Sequence, residues 1–168
     1  MPTTIDSTAL FFGAPASLTV GGVEVGATLT PPVAKIEATQ YAPDFQGAGG
    51  PVKGAVFNTK IKATIEFDVN EITAAKLQWS LPGSVVAGTP SVWTWSIGRV
   101  ASTVFNDVIL DGIGLDGRHL TVTVKDALSD GKFDITMSDA AVVGSHVIMT
   151  GYYDGANPQL APMQILVG

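Results

Sequence analysis

The sequence predicts a mainly β protein with one substantial helix, and three observations carry that prediction. Residues 54–69 read GAVFNTKIKATIEFDV, with Ala55, Phe57, Ile61, Ala63, Ile65, Phe67 and Val69 apolar and Asn58, Lys60, Lys62, Thr64, Glu66 and Asp68 polar. Strand side chains alternate between faces, so this segment is expected to be a single long strand with a buried and a wet face, interrupted only at Thr59. Shorter period-two patterns recur on both sides of it, punctuated by glycine and proline. Helical spacing with start and stop signals occurs in one place, residues 70–81. At roughly 3.3 Å per residue the long strand would reach about 50 Å, well beyond the usual length of about six residues. Such a strand belongs to a barrel or a wall, and its neighbours can lie in another molecule.

The elements follow in order. Residues 1–15 read as an amino-terminal arm. From Leu18 to Leu29 alternation places Val23, Val25, Ala27 and Leu29 on one face, with Gly21-Gly22 as a two-residue hairpin turn. After Pro31-Pro32, VAKIEATQ gives a strand whose polar face holds Lys35, Glu37 and Thr39. Residues 41–53 have glycine, proline and no periodicity, which makes a long loop with Tyr41 and Phe45 as apolar anchors. In the predicted helix Asn70 caps the start, Glu71 suits its positive end, Ile72, Ala75 and Trp79 form the apolar stripe, and Leu81-Pro82-Gly83 is the stop. Beyond it, Trp93, Trp95 and Ile97 are expected inward. Leu120, Val122 and Val124 alternate with Thr121, Thr123 and Lys125, and Phe133, Ile135 and Met137 with Asp134, Thr136 and Ser138. Val142–Tyr153 lacks a polar face, as a strand buried on both sides would, and Met163–Val167 could add an edge strand. No repeat or linker divides the chain, so residues 1–168 are read as one domain.

Composition narrows the function. Only 14% of residues are charged, against roughly 25% in ordinary soluble domains, while 46% are hydrophobic. Burial of surface between identical copies is the simplest way to cover such a chain. The absence of cysteine excludes disulfides and thiolate chemistry. A net charge of −6 argues against tight nucleic-acid binding. No apolar run approaches the roughly 20 residues of a membrane span, and MPTTIDSTALFFG has no basic residue and does not read as a secretory signal.

Signals for catalysis are weak. His119 and His146 stand outside any H-x-E or H-E-x-x-H arrangement and read as ordinary strand residues. Asp111 and Asp116 in DGIGLDGR lack calcium-loop spacing and read as turns built on Asp-Gly. Glu66 and Asp68 share a strand face, where a catalytic pair is a weaker reading than surface charge. The glycines at 47–50 lack the G-K-[ST] ending of a phosphate loop. No enzyme activity, metal or cofactor is therefore expected. Trp79, Trp93 and Trp95 could form a sugar-stacking platform, but their spacing favours the core.

Two stretches carry a resemblance. FFGAPASLTVGGVEVGATLT looks like the opening hairpin of the major tail tube proteins of long, flexible-tailed bacteriophages, with its G-A-P start and V-G-G-V-x-V-G-A-T core. DFQGAGGPVKGAVFNTKIKATIEFDVNEITAAKLQWSLPG resembles that family's central block, in which a G-P-x-K-G loop leads into a long strand, an acidic-capped helix and L-P-G. Together they cover about half the chain, and the likeness could extend to tube proteins of contractile injection machines. The resemblance implies a β-sandwich or barrel-like core with one flanking helix and a long inter-subunit loop. It implies hexameric rings stacked into a helical tube in the virion tail, assembled in the host cytoplasm around a tape-measure protein, with tail tip and terminator proteins at the ends. Double-stranded DNA would pass during genome ejection without specific binding. Six copies at −6 each give roughly −36 per ring, which would repel phosphate.

On this reading Glu37, Asn58, Lys60, Lys62, Thr64, Glu66, Asp68 and Asp134 are candidates to face the lumen, with the lysines mixing the local charge. The loop would reach a neighbour through Tyr41, Asp44, Phe45, Gly47, Pro51 and Lys53, and Leu10, Phe11 and Phe12 of the arm would make a second contact. The competing expectation is a carbohydrate-binding β-sandwich on a virion or cell surface.

Overall fold

The computed structural model describes residues 13–26, 28, 30–44, 47, 50, 52–70, 73–90, 92–94, 97–114, 117–132 and 144–168. The fold is mainly β. Its elements are β1 (Gly13–Val20), β2 (Val23–Glu24), β3 (Val33–Tyr41), β4 (Phe57–Val69), α1 (Ala74–Ser80), β5 (Val85–Ala87), β6 (Val92–Thr94), a 3-10 turn (Ser102–Val104), β7 (Asn106–Gly114), β8 (His119–Ser129), β9 (Ser145–Gly151) and β10 (Met163–Val167). Eight strands form one antiparallel sheet in the order β2-β1-β7-β8-β9-β4-β3, with β10 also on β8, while β5 and β6 make a separate hairpin.

β8 serves two partners along one edge. Residues 120–124 pair with β10, and residues 127–129 pair with β9. Between them Asp126 is left-handed at φ 46°, its N–H held by the Asp107 carboxylate at 3.0 Å, and the β7 side carries a bulge between Asn106 and Val108. A bulge twists and bends a strand, which is how one sheet turns back over itself. The inner faces of both halves then meet in one cluster. Leu18, Val20, Val25, Val108, Val124 and Ala127 join Ala63, Ile65, Phe67, Val69, Val147 and Met149. The result is sandwich-like layering from a single sheet. Each large apolar side chain so buried contributes about 1.5–3 kcal/mol.

The helix is tied to both halves. Trp79 packs on the core, the buried Lys76 donates to the Val25 carbonyl at 2.9 Å, and Ser129 donates to the Ser80 carbonyl at 3.2 Å. Two glycine sites are dictated by geometry. Gly21 and Gly22 (φ 57° and 79°) form the two-residue turn between β1 and β2, as the sequence predicts. A Cβ on Gly151 would lie 2.8 Å from Val124 Cγ1 and 3.0 Å from the Pro162 carbonyl oxygen, so only glycine lets β9 cross to β8 here.

Several expectations need correction. The long strand starts at Phe57 rather than Gly54, and β1 starts at Gly13, inside the expected arm. Tyr41 ends β3 rather than opening the loop. The helix spans Ala74–Ser80 instead of 70–81, because Thr73 caps it: the Thr73 hydroxyl accepts the Lys76 N–H at 3.4 Å. Val25 is buried while Val23 is exposed, since β2 is only two residues long. Ile97 is fully exposed, because β6 ends at Thr94 on the separate hairpin. Asp111-Gly112 lies within β7 and not in a turn. β9 is buried on one face and only partly on the other. Ala27, Leu29, Glu71, Ile72, Trp95, Asp116, the strand expected over Phe133–Ser138 and the first residues of that expected over Val142–Tyr153 fall outside the described residues.

Candidate functional site

β4 is paired with β3 from Phe57 to Glu66, whereas β9 accompanies residues 64–69. Residues 57–62 and their β3 partners therefore form a two-stranded ribbon that extends past the three-stranded wall. Every described β3 residue except Ala34 is exposed. At the ribbon's end Tyr41 and Phe57 sit opposite each other, 57% and 58% exposed. Two large aromatic rings are thus left uncovered side by side.

Register decides which residues share a face. Lys35, Glu37 and Thr39 oppose Thr64, Lys62 and Lys60, and Glu66 and Asp68 continue that face beside Ile148 and His146 of β9. The structure thus brings Glu37, Lys60, Lys62, Thr64, Glu66 and Asp68 together and adds Lys35, whose Nζ lies 2.6 Å from Glu66 Oε1. Three lysines against three carboxylates balance, so the acidity expected of a lumen is not on this face. Thr64 departs from the lumen expectation: it is 9% exposed, because it lies where strands flank it on both sides.

Asn58 departs too. A bulge between Thr39 and Gln40 skips Thr59, so Asn58 opposes Gln40, and Gln40 Nε2 donates to Asn58 Oδ1 at 3.3 Å. A one-residue slip inverts alternation beyond it, so Asn58 leaves the lysine face and Phe57 joins it. Asp44, Gly47 and Lys53 are exposed outside helix and strand. Leu10, Phe11, Phe12, Phe45, Pro51 and Asp134 lie outside the described residues.

The densest polar group is one that no sequence spacing indicates. Asp68 accepts from the Thr30 hydroxyl and lies 2.8 Å from His146 Nδ1. Burial pushes the Asp68 carboxyl up, but the hydrogen bonds of Thr30 and His146, with the His146 charge, outweigh it and hold the carboxyl below its usual range. His146 is 78 residues away in sequence, and only the β4–β9 register brings it here. Thr30 spends its hydroxyl on the carboxylate, not the imidazole, so the group lacks the nucleophile–base–carboxylate order of acyl transfer. A second pair, His119 and Asp111 at 3.0 Å, joins β7 to β8 with Thr121 on the other carboxylate oxygen. No group of three or more metal-ligating side chains occurs among the described residues, and no helix there is long and apolar enough to cross a membrane.

Another exposed margin branches from the middle of the sheet. β10 pairs with β8 on one edge, and Ile165, Leu166 and Val167 are 56%, 61% and 59% exposed. Successive strand residues face opposite ways, so beyond Met163, which packs on the core, both faces of β10 are exposed among the described residues. Set against models of known protein families and against curated proteins, the sequence gives no match.

Proposed function

We propose that this chain is a structural subunit that assembles with copies of itself into stacked rings, forming a tube of the kind that phage tails use to conduct DNA. The observation that carries this reading is the β3–β4 ribbon, two extended strands with apolar side chains exposed and an open β3 edge. A long open edge is a template for pairing with another chain, and closure around an axis is one way to satisfy it. The free margins are unlike: β2 and β3 stand at opposite ends of the sheet, and β10 branches from β8 within it. Contact between unlike margins is heterologous, repeats from copy to copy, and closes as a ring or continues as a filament.

The sequence resemblance supplies the rest of the proposal: hexameric rings, a tape-measure protein, tail tip and terminator partners, and assembly in the host cytoplasm into the virion. The polar ribbon face, with its charges balanced, would offer passing DNA neither an attractive nor a strongly repulsive wall. Negative-stain electron microscopy of the concentrated protein tests the reading. Rings or hollow cylinders are expected; separate monomers at every concentration would refute it.

A further inference from the structure

β9 leaves β4 after Thr150 has paired with Thr64, and Gly151 pairs instead with Ala127 of β8. The backbone of Ile61, on the margin β9 has vacated, is nevertheless satisfied. The Tyr153 hydroxyl accepts the Ile61 N–H at 2.7 Å and donates to the Ile61 carbonyl at 2.8 Å. One phenol thus supplies both the acceptor and the donor that a residue on a neighbouring strand would offer. The two groups face away from β3, since they are bonded from the other side. An incoming strand could pair along residues 57–61 only by displacing Tyr153.

We propose that Tyr153 is an edge cap that keeps the β4 margin of the ribbon from taking a strand of a second copy. Its effect is negative selection: the ribbon keeps an open margin along β3 and a closed one along β4. The partner it excludes is another copy of this chain, because the chain itself carries an uncharged strand, β10, with one edge unpaired and both faces exposed beyond Met163. Two open margins on one short ribbon would allow branching and mispairing, and one open margin gives a single way to join. That last consequence rests on the assembly reading above; the closure of the β4 margin does not.

The test is Tyr153→Phe, which keeps the ring and removes both hydrogen bonds, with Tyr152→Phe as the control for losing a neighbouring hydroxyl. The Ile61 amide should exchange with solvent roughly tenfold faster in Tyr153→Phe than in the parent. Light scattering should show association beginning at a several-fold lower protein concentration. Because the chain has no cysteine, Thr59→Cys on β4 and Gln164→Cys on β10 together can report where the new contact forms. Disulfide-linked dimers should form several-fold faster when this cysteine pair is combined with Tyr153→Phe than when Tyr153 is intact. Faster exchange at Ile61 without earlier association or faster cross-linking would overturn the inference, as would unchanged exchange. Early association into material that is not hollow would leave the cap standing and refute the tube.

Discussion

From Thr64 to Glu66, β4 has β3 on one side and β9 on the other, β9 runs on with it to Val69, and Ala63, Ile65, Phe67 and Val69 reach into the common core. From Phe57 to Lys62 the strand keeps β3, but beyond β9's end it has, among the described residues, the Tyr153 phenol on its other margin, and its side chains are exposed apart from the half-buried Ile61. Hydrophobic patterning is similar in the two halves; neighbours are not. Burial therefore follows how many strands and layers surround a residue, and a patterned strand that outruns its sheet leaves its apolar residues exposed.

The sharpest contrast is between the two phenylalanines of this strand. Phe67→Ala should lower the stability of the dilute protein by about 3–5 kcal/mol, read from the urea midpoint, since it opens a cavity in a closed core. Phe57→Ala should change the same midpoint by less than about 0.5 kcal/mol, as surface substitutions do, yet should abolish association. Equal effects on stability would mean that the ribbon is packed within its own chain. Deleting residues 42–50 should likewise leave a folded subunit unable to form tubes, and tubes still visible by electron microscopy would exclude that loop from the contact.

Gly151→Ala probes the point where β9 abandons β4. The added methyl meets Val124 and Pro162 at about 3 Å, so a loss of roughly 1–3 kcal/mol is expected, measured by thermal unfolding. An unchanged midpoint would show that the crossing is looser than these contacts require.

Asp68 gives a pH-dependent version of the comparison, within the part that β9 accompanies. Its carboxyl is held low in the folded chain, so on acidification the unfolded chain takes the proton first. The stability it contributes is present above the ordinary carboxylate value and disappears as pH falls through the folded value. Asp68→Asn should flatten that acid limb of the melting curve. The smallest effect belongs to Lys35→Ala, whose partly exposed pair with Glu66 is worth less than about 1 kcal/mol.

Much of the fold is legible in the sequence, because alternation and glycine turns are local signals. The Gly21-Gly22 hairpin, β3, the core half of β4, the inward Val122 and Val124, and β10 follow directly from spacing. What escapes is set by partners distant in the chain. No periodicity announces the bulge that turns Asn58 away from Lys60, because a bulge is a register event between two strands. The burial of Thr64 depends on β9, and the Asp68–His146 and Tyr153–Ile61 contacts span 78 and 92 residues. The helix start moved from Asn70 to Thr73, whose hydroxyl accepts the Lys76 N–H.

The central claim is that the ribbon is finished by a second copy while the core half of β4 is complete by itself. Amide hydrogen exchange across β3 and β4, recorded in dilute and in concentrated protein, addresses it directly. The account predicts that residues 33–41 and 57–62 gain protection on concentration while residues 63–69 remain as slow as before. Exchange that is independent of concentration in both regions would contradict it.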